Sequence, residues 1–337
     1  MLREERRDFD NIYNLMTIER LEDLDPNTPW LQYISNILTE DVVKVSKEDP
    51  IIVINPNYVG NLSTILTSTP LRVQANYLML LAVYDSLPLL NNEAVETINN
   101  NEKSITGRTS RIPRWRSCVQ RTKKLLGAAT GSLYITNYFD ENSRTAALSM
   151  VDDIKKQLDT VLETNDWMDK ITKENAKTKA DKMIEHIGYP PELLDINYLT
   201  DFYESLNLNE EDFFGNILNL RTFAINYEFS RLRDPVDRTE WLSRSPATVN
   251  AWYDAFSNAI TFPAGILQGV FFGSCKPKYL NYGAIGWVIG HEITHGFDNR
   301  GRQFDGDGNL VDWWDSETNE KFLKKADCLV REGFKEN

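Results

Sequence analysis

The chain has 337 residues, 41% of them hydrophobic, enough to bury a sizeable core and to form two domains or one large lobe with a partner. Its formal net charge of −13 and its pI near 4.9 exclude the dense positive surface that draws phosphate backbones, so nucleic acid is not an expected partner. The most apolar run, Tyr77 to Tyr84, is too short to span a bilayer, and the charged opening MLREERRDFD lacks the apolar centre of a secretory signal.

Taken along the chain, helices are predicted around Asp8 to Leu21, Pro29 to Leu38 and Leu71 to Leu87, the last holding the Tyr77–Tyr84 run as a buried helix. Asn91 to Lys103 is asparagine-rich and reads as an exposed linker, followed by a helix from Trp115 to Leu126. Between Ser143 and Leu162 the apolar residues Ala147, Val151, Ile154, Leu158 and Val161 recur at steps of three and four, which predicts an amphipathic helix. A second runs from about Thr172 through Ala176, Ala180, Met183 and Ile184 and stops at Gly188, with Pro190 and Pro191 behind it. After Glu211 and a further helix over Phe213 to Leu232, the alternation of Thr248 to Gly265 around Ser257-Asn258 predicts a strand, a turn and a strand.

GHEITHGFD, residues 290 to 298, holds two of the three histidines. Independent draws would place His-Glu-x-x-His in roughly one of 500 such chains, so its context decides its meaning. Ile285, Val288, Ile289 and Ile293 form a helical apolar stripe, with Gly283 and Gly286 as points of close approach. Four residues turn a helix by about 400°, so His291 and His295 share a face and can present two imidazoles to one ion. Glu292 lies about 100° round, where its carboxylate can serve as general base to a water activated by zinc. The metzincin extension fails at Asp298 and Gly301, and DGDGN, Asp305 to Asn309, lacks the glycine and glutamate of a calcium loop and reads as a turn.

The chain resembles the neprilysin and endothelin-converting-enzyme group of zinc metallopeptidases. The resemblance is carried by VNAWY (249–253), FPAGILQ (262–268), NYGAIGWVIGHEITHGFDNRGRQFD (281–305) and GNLVDWW (308–314), and earlier by RWRSCV (114–119), WMD (167–169), IGYP (187–190) and TEW (239–241). It implies a mainly α (α+β), two-lobed ectodomain: a helical lobe, here 1–212, and a thermolysin-like zinc lobe with a small β-sheet, here the truncated 213–337. It also implies a metalloendopeptidase of small peptides, with His291 and His295 as zinc ligands, Glu292 as base and Asp298 orienting a ligand histidine. Asn250 and Ala251 match the pair that holds an extended substrate. Phe271 and Val288 match the lining of the pocket for the residue after the scissile bond, where Trp287 replaces a smaller apolar residue and narrows it.

Catalytic zinc takes three protein ligands and a water. In the family the third is a glutamate in a G-E-N-x-x-D motif further on; it is expected beyond Asn337, since Glu317, Glu320, Glu332 and Glu336 read as faces of a solvated polar helix. The chain as written is therefore expected to be incomplete and inactive, the alternative being a non-catalytic peptide-binding module derived from the family. The resemblance further implies disulfide partners for Cys118 and Cys328 outside the chain, an extracellular, plasma-membrane or secreted location reached through an anchor not in this sequence, and leaves open a homodimer and glycosylation at Asn61.

Overall fold

The computed structural model describes residues 5–38, 41–108, 112–241 and 245–333. Among these residues the chain forms fifteen α-helices and five short strands. The first half runs α1 Phe9–Ile12, β1 Leu15–Thr17, α2 Ile18–Leu24, α3 Trp30–Leu38, β2 Pro50–Ile52, α4 Pro56–Ser68, α5 Leu71–Ser86, α6 Asn92–Thr106 and α7 Arg114–Leu125. The rest runs α8 Gly127–Tyr138, α9 Glu141–Thr164, α10 Lys170–Asp181, β3 Ile184–Gly188, α11 Ile196–Phe202, α12 Phe213–Ser230, β4 Trp252–Asp254, β5 Ala259–Pro263, α13 Lys278–Gly283, α14 Ile285–His295 and α15 Ser316–Gly333.

Two compact units result, one of residues 1–126 and 200–235, the other of 127–199 and 236–337. They are not the consecutive segments 1–212 and 213–337 expected from the sequence. The difference has a physical source: α9 and β3 bury their apolar faces against α14 and β5, far along the chain, and so belong with them.

In the first unit β1 pairs antiparallel with β2, and Leu21, Val53 and Val59 form a small core under Trp30 and Ile51. The predicted helix over Asp8 to Leu21 is broken by β1. Asn91 to Lys103 is helix rather than linker: the Asn91 side chain accepts from the Ala94 amide at 3.0 Å, and Gly107, left-handed at φ 71°, closes α6 at its far end. The Tyr77–Tyr84 run is helical but not buried, with Leu78, Met79 and Leu80 each more than 60% exposed. Asn61, on α4, is exposed, and Ser63 two residues on is buried and accepts from Asn27 Nδ2 at 2.9 Å.

The second unit is built round a three-stranded sheet in the order β3-β5-β4, with β5 parallel to β3 and antiparallel to β4. All five β5 residues are buried, as befits a central strand covered on both faces. The Asp140 and Asp169 side chains cap α9 and α10 by accepting amide hydrogens of the following turn. Val151 of α9, Ile260 and Phe262 of β5 and Ile285, Ile289 and Ile293 of α14 make one core, all at most 2% exposed. The predicted second helix ends at Asp181, not Gly188; Ile184 onward is β3, held in register from Ile184 against Ala259 to Gly188 against Pro263. The turn expected at Ser257-Asn258 is present, with Asn258 left-handed at φ 50°.

Candidate metal centre

Helix α14 carries the site. Its apolar side, Ile285, Ile289 and Ile293, is clamped in the core, which leaves His291 and His295 one turn apart on the outer side. Neither glycine expected as a point of close approach is required as one: a Cβ at Gly286 would meet the Met150 methyl at 3.5 Å, an ordinary contact, and Gly283 faces open space.

The Nε2 atoms of His291 and His295 approach to 3.0 Å. Two nitrogens held about 2.0–2.1 Å from one tetrahedral ion stand about 3.4 Å apart, so small ring rotations would let both bind it. His295 Nδ1 meets Asp298 Oδ2 at 2.8 Å. The carboxylate accepts there, so Nδ1 carries the proton and Nε2 presents its lone pair outward. The other carboxylate oxygen, Oδ1, accepts the amides of Arg300 and Gly301, each at 2.8 Å, which fixes the carboxylate from behind. Gly301 is obligatory in this turn, since a Cβ would fall 1.9 Å from the His295 carbonyl oxygen.

Glu292, 6% exposed, points to the inner side of the same helix. Burial raises its pKa above the ordinary carboxylate value, while His295, His291 and the Tyr253 backbone pull it back down. A carboxylate held this way is a better proton acceptor than a solvated one and suits a general base. No third His, Cys, Asp or Glu joins the two histidines as a metal-holding group among the described residues. Glu317, Glu320 and Glu332 are exposed on α15, and Glu336 lies outside the described residues.

The remaining candidates lie in the same unit. Asn250 is exposed and Ala251 is buried in the core just ahead of β4, one of the two outer strands of the sheet. The Phe271 carbonyl accepts the first amide of α14 at 3.1 Å, and Phe271 and Val288 both pack at the rim of the core. Trp287, 69% exposed, stacks on His291 with ring centres 5.7 Å apart. Asp305 to Asn309 is a turn, with Asp305 Oδ1 accepting the amides of Asp307 and Asn309. Cys118, Cys275 and Cys328 are exposed and form no disulfide with one another.

Sequence reasoning passed over Lys179. Its ammonium, on a residue 1% exposed, donates to the carbonyls of Gly301 and Phe304, both at 2.6 Å. A lysine on the apolar side of α10, in line with Thr172, Ala176 and Ala180, was the available signal.

A helix-borne His-Glu-x-x-His with a carboxylate behind the second histidine is the arrangement that zinc peptidase centres use. The family description "Peptidase family M13" matches residues 1–190 and 250–336, and the chain belongs to that family, which includes the neprilysins and endothelin-converting enzymes. It is 39% identical to neprilysin-2 of Drosophila melanogaster and 38% identical to neprilysin-1 of Caenorhabditis elegans, in each case over 98% of this chain and 44% of the relative. Among solved structures it superposes on the Mycobacterium tuberculosis zinc metalloprotease ZMP1, captured with an inhibitor, with a TM-score of 0.87 and 31% identity over 97% of this chain and 48% of that one. PEPO of Lactobacillus rhamnosis gives a TM-score of 0.82 at 25% identity, over 95% of this chain and 49% of that one. The chain thus spans about half the length of the relatives it matches.

Proposed function

We propose that this chain carries the zinc-binding helix of a metalloendopeptidase that hydrolyses internal bonds of small peptides. The observation that carries the reading is the convergence of His291 and His295 Nε2 to 3.0 Å, with Asp298 holding the His295 tautomer and buried Glu292 beside them. His291 and His295 would hold the zinc, together with a glutamate from the part of the relatives' length that this chain does not span. When bound, zinc supplies a Lewis acid that polarises the scissile carbonyl and acidifies water. Glu292 accepts the proton of the attacking water and delivers it to the leaving amine. Asn250 and Ala251, beside the outer strand β4, bind the substrate backbone in extended form. Phe271, Val288 and Trp287 shape the pocket for the residue after the scissile bond. Peptides encountered at the cell surface or in secretions are the substrates this assignment favours, and among the described residues no helix is long and apolar enough to cross a membrane.

The test is zinc content and cleavage of an internally quenched peptide by the protein from its natural source. One zinc per chain and chelator-reversible cleavage support the reading. Zinc without cleavage would instead favour a peptide-binding module, and absence of both would overturn the assignment.

A further inference from the structure

An ammonium group is expensive to bury, far more so than an apolar side chain of the same shape, so a lysine that is 1% exposed marks a place where its hydrogen bonds are needed. Lys179 reaches from α10 into a cage of rings, with Tyr253, Phe297 and Trp313 centred 5.7 to 6.0 Å from its Nζ. Both of its hydrogen bonds end on one short turn, at the carbonyls of Gly301 and Phe304. That turn comes shortly after α14, and its Gly301 amide, together with that of Arg300 just before it, holds Asp298.

Gly301 is therefore gripped from two sides. Its carbonyl accepts from Lys179, and its amide donates to Asp298 Oδ1, whose partner oxygen meets His295 Nδ1. The bonds run unbroken from the ammonium through Gly301 and Asp298 to the imidazole. We propose that Lys179 is a positioning residue for the metal ligand His295, acting by locking the Gly301–Phe304 turn so that Asp298 stays seated on Nδ1. The role rests on the zinc reading above, but its machinery is built into the metal-free protein. Asn258 reinforces the same corner, donating from Nδ2 to the Lys179 carbonyl at 3.0 Å and to the Gly306 carbonyl at 3.1 Å.

The test compares wild type, Lys179→Met, Asp298→Asn and the double variant in the full-length protein. Methionine fills the ring cage without donating a hydrogen bond. Groups that orient a ligand histidine typically contribute 10- to 100-fold in metal affinity, and Lys179 acts one residue further back, so K179M is expected to weaken zinc by about 10-fold in chelator competition. In the metal-free protein, ¹⁵N NMR should show His295 as a single Nδ1–H tautomer in wild type and as a mixture in K179M. Adding K179M to D298N should change neither readout further, because the path is already cut. Should K179M fail to fold, Lys179→Gln, whose amide group still donates but carries no charge, takes its place with a smaller expected loss. A folded variant with wild-type zinc affinity and an unshifted tautomer overturns the proposal, as does a loss that adds in full to that of D298N. Failure of the zinc reading itself would appear as a wild type that binds no zinc, with the tautomer comparison still deciding the role of Lys179.

Discussion

Lys179 also gives the protein a distinctive dependence of stability on pH. Burial drives its pKa from the ordinary 10.5 down to about 7, the charges of Asp305 and Asp298 offsetting only part of the effect. A lowered pKa on a base means that the folded state gives up the proton before the unfolded chain does. Below pH 7 both states carry it, and folding bears the full cost of a buried ammonium. Between pH 7 and 10.5 only the unfolded chain keeps it, so stability rises with pH, by at most about 1.4 kcal/mol per unit. The difference of about 3.5 units corresponds to about 5 kcal/mol across the whole window. Lys179→Met removes this slope, leaving the other titrating groups common to both proteins. Urea unfolding at pH 7, 8 and 9 with chelator present should therefore show wild type gaining on K179M by about 2 to 3 kcal/mol over those two units. A stability difference between the two that stays constant to within about 1 kcal/mol would refute the reasoning.

Replacing Glu292 by Gln should lower kcat by about 10²- to 10⁴-fold and leave zinc content intact, measured by peptide hydrolysis beside metal analysis. Asp298→Asn should weaken zinc by about 10- to 100-fold in chelator competition without unfolding the chain. Ile289→Ala, at a site 1% exposed on the buried side of α14, should cost about 2–5 kcal/mol in denaturant unfolding. Trp287→Ala should shift cleavage profiles toward larger residues after the scissile bond; an unchanged profile would remove Trp287 from that pocket.

The parts of the molecule legible in the sequence are those whose determinants lie close together along the chain. The α9 stripe, the turn at Asn258 and the two histidines one helical turn apart depend on spacing alone, and they stand where spacing put them, except that Leu162 and not the exposed Val161 closes the buried stripe. Strand β3 was not legible in this way. Met183 and Ile184 continue the apolar period of α10, and only the backbone of β5, far along the chain, draws Ile184 onward into a sheet. Helix α6 was hidden by composition, because asparagine favours turns and caps, yet Asn91 does cap it while Val95 and Ile98 supply an apolar edge. Lys179 shows the same limit at the site itself. Nothing near it in sequence announces that its ammonium ends on the Gly301 carbonyl.

The interleaving of the two compact units bears on how the protein is made. A ribosome releases α9, α10 and β3 well before Ala259–Pro263 and Ile285–His295, the stretches that cover them. Until then Val151 and Ile187 face water, and Ile184 has no strand to pair with. Parallel pairing across so long a loop is slow, which leaves the nascent chain open to aggregation and to chaperone capture. Helix α14 can take its seat only once it follows α9 and β3 out of the ribosome, and a pause in synthesis before residue 285 would strand a chain in which the core shared by α9, β5 and α14 has not yet closed.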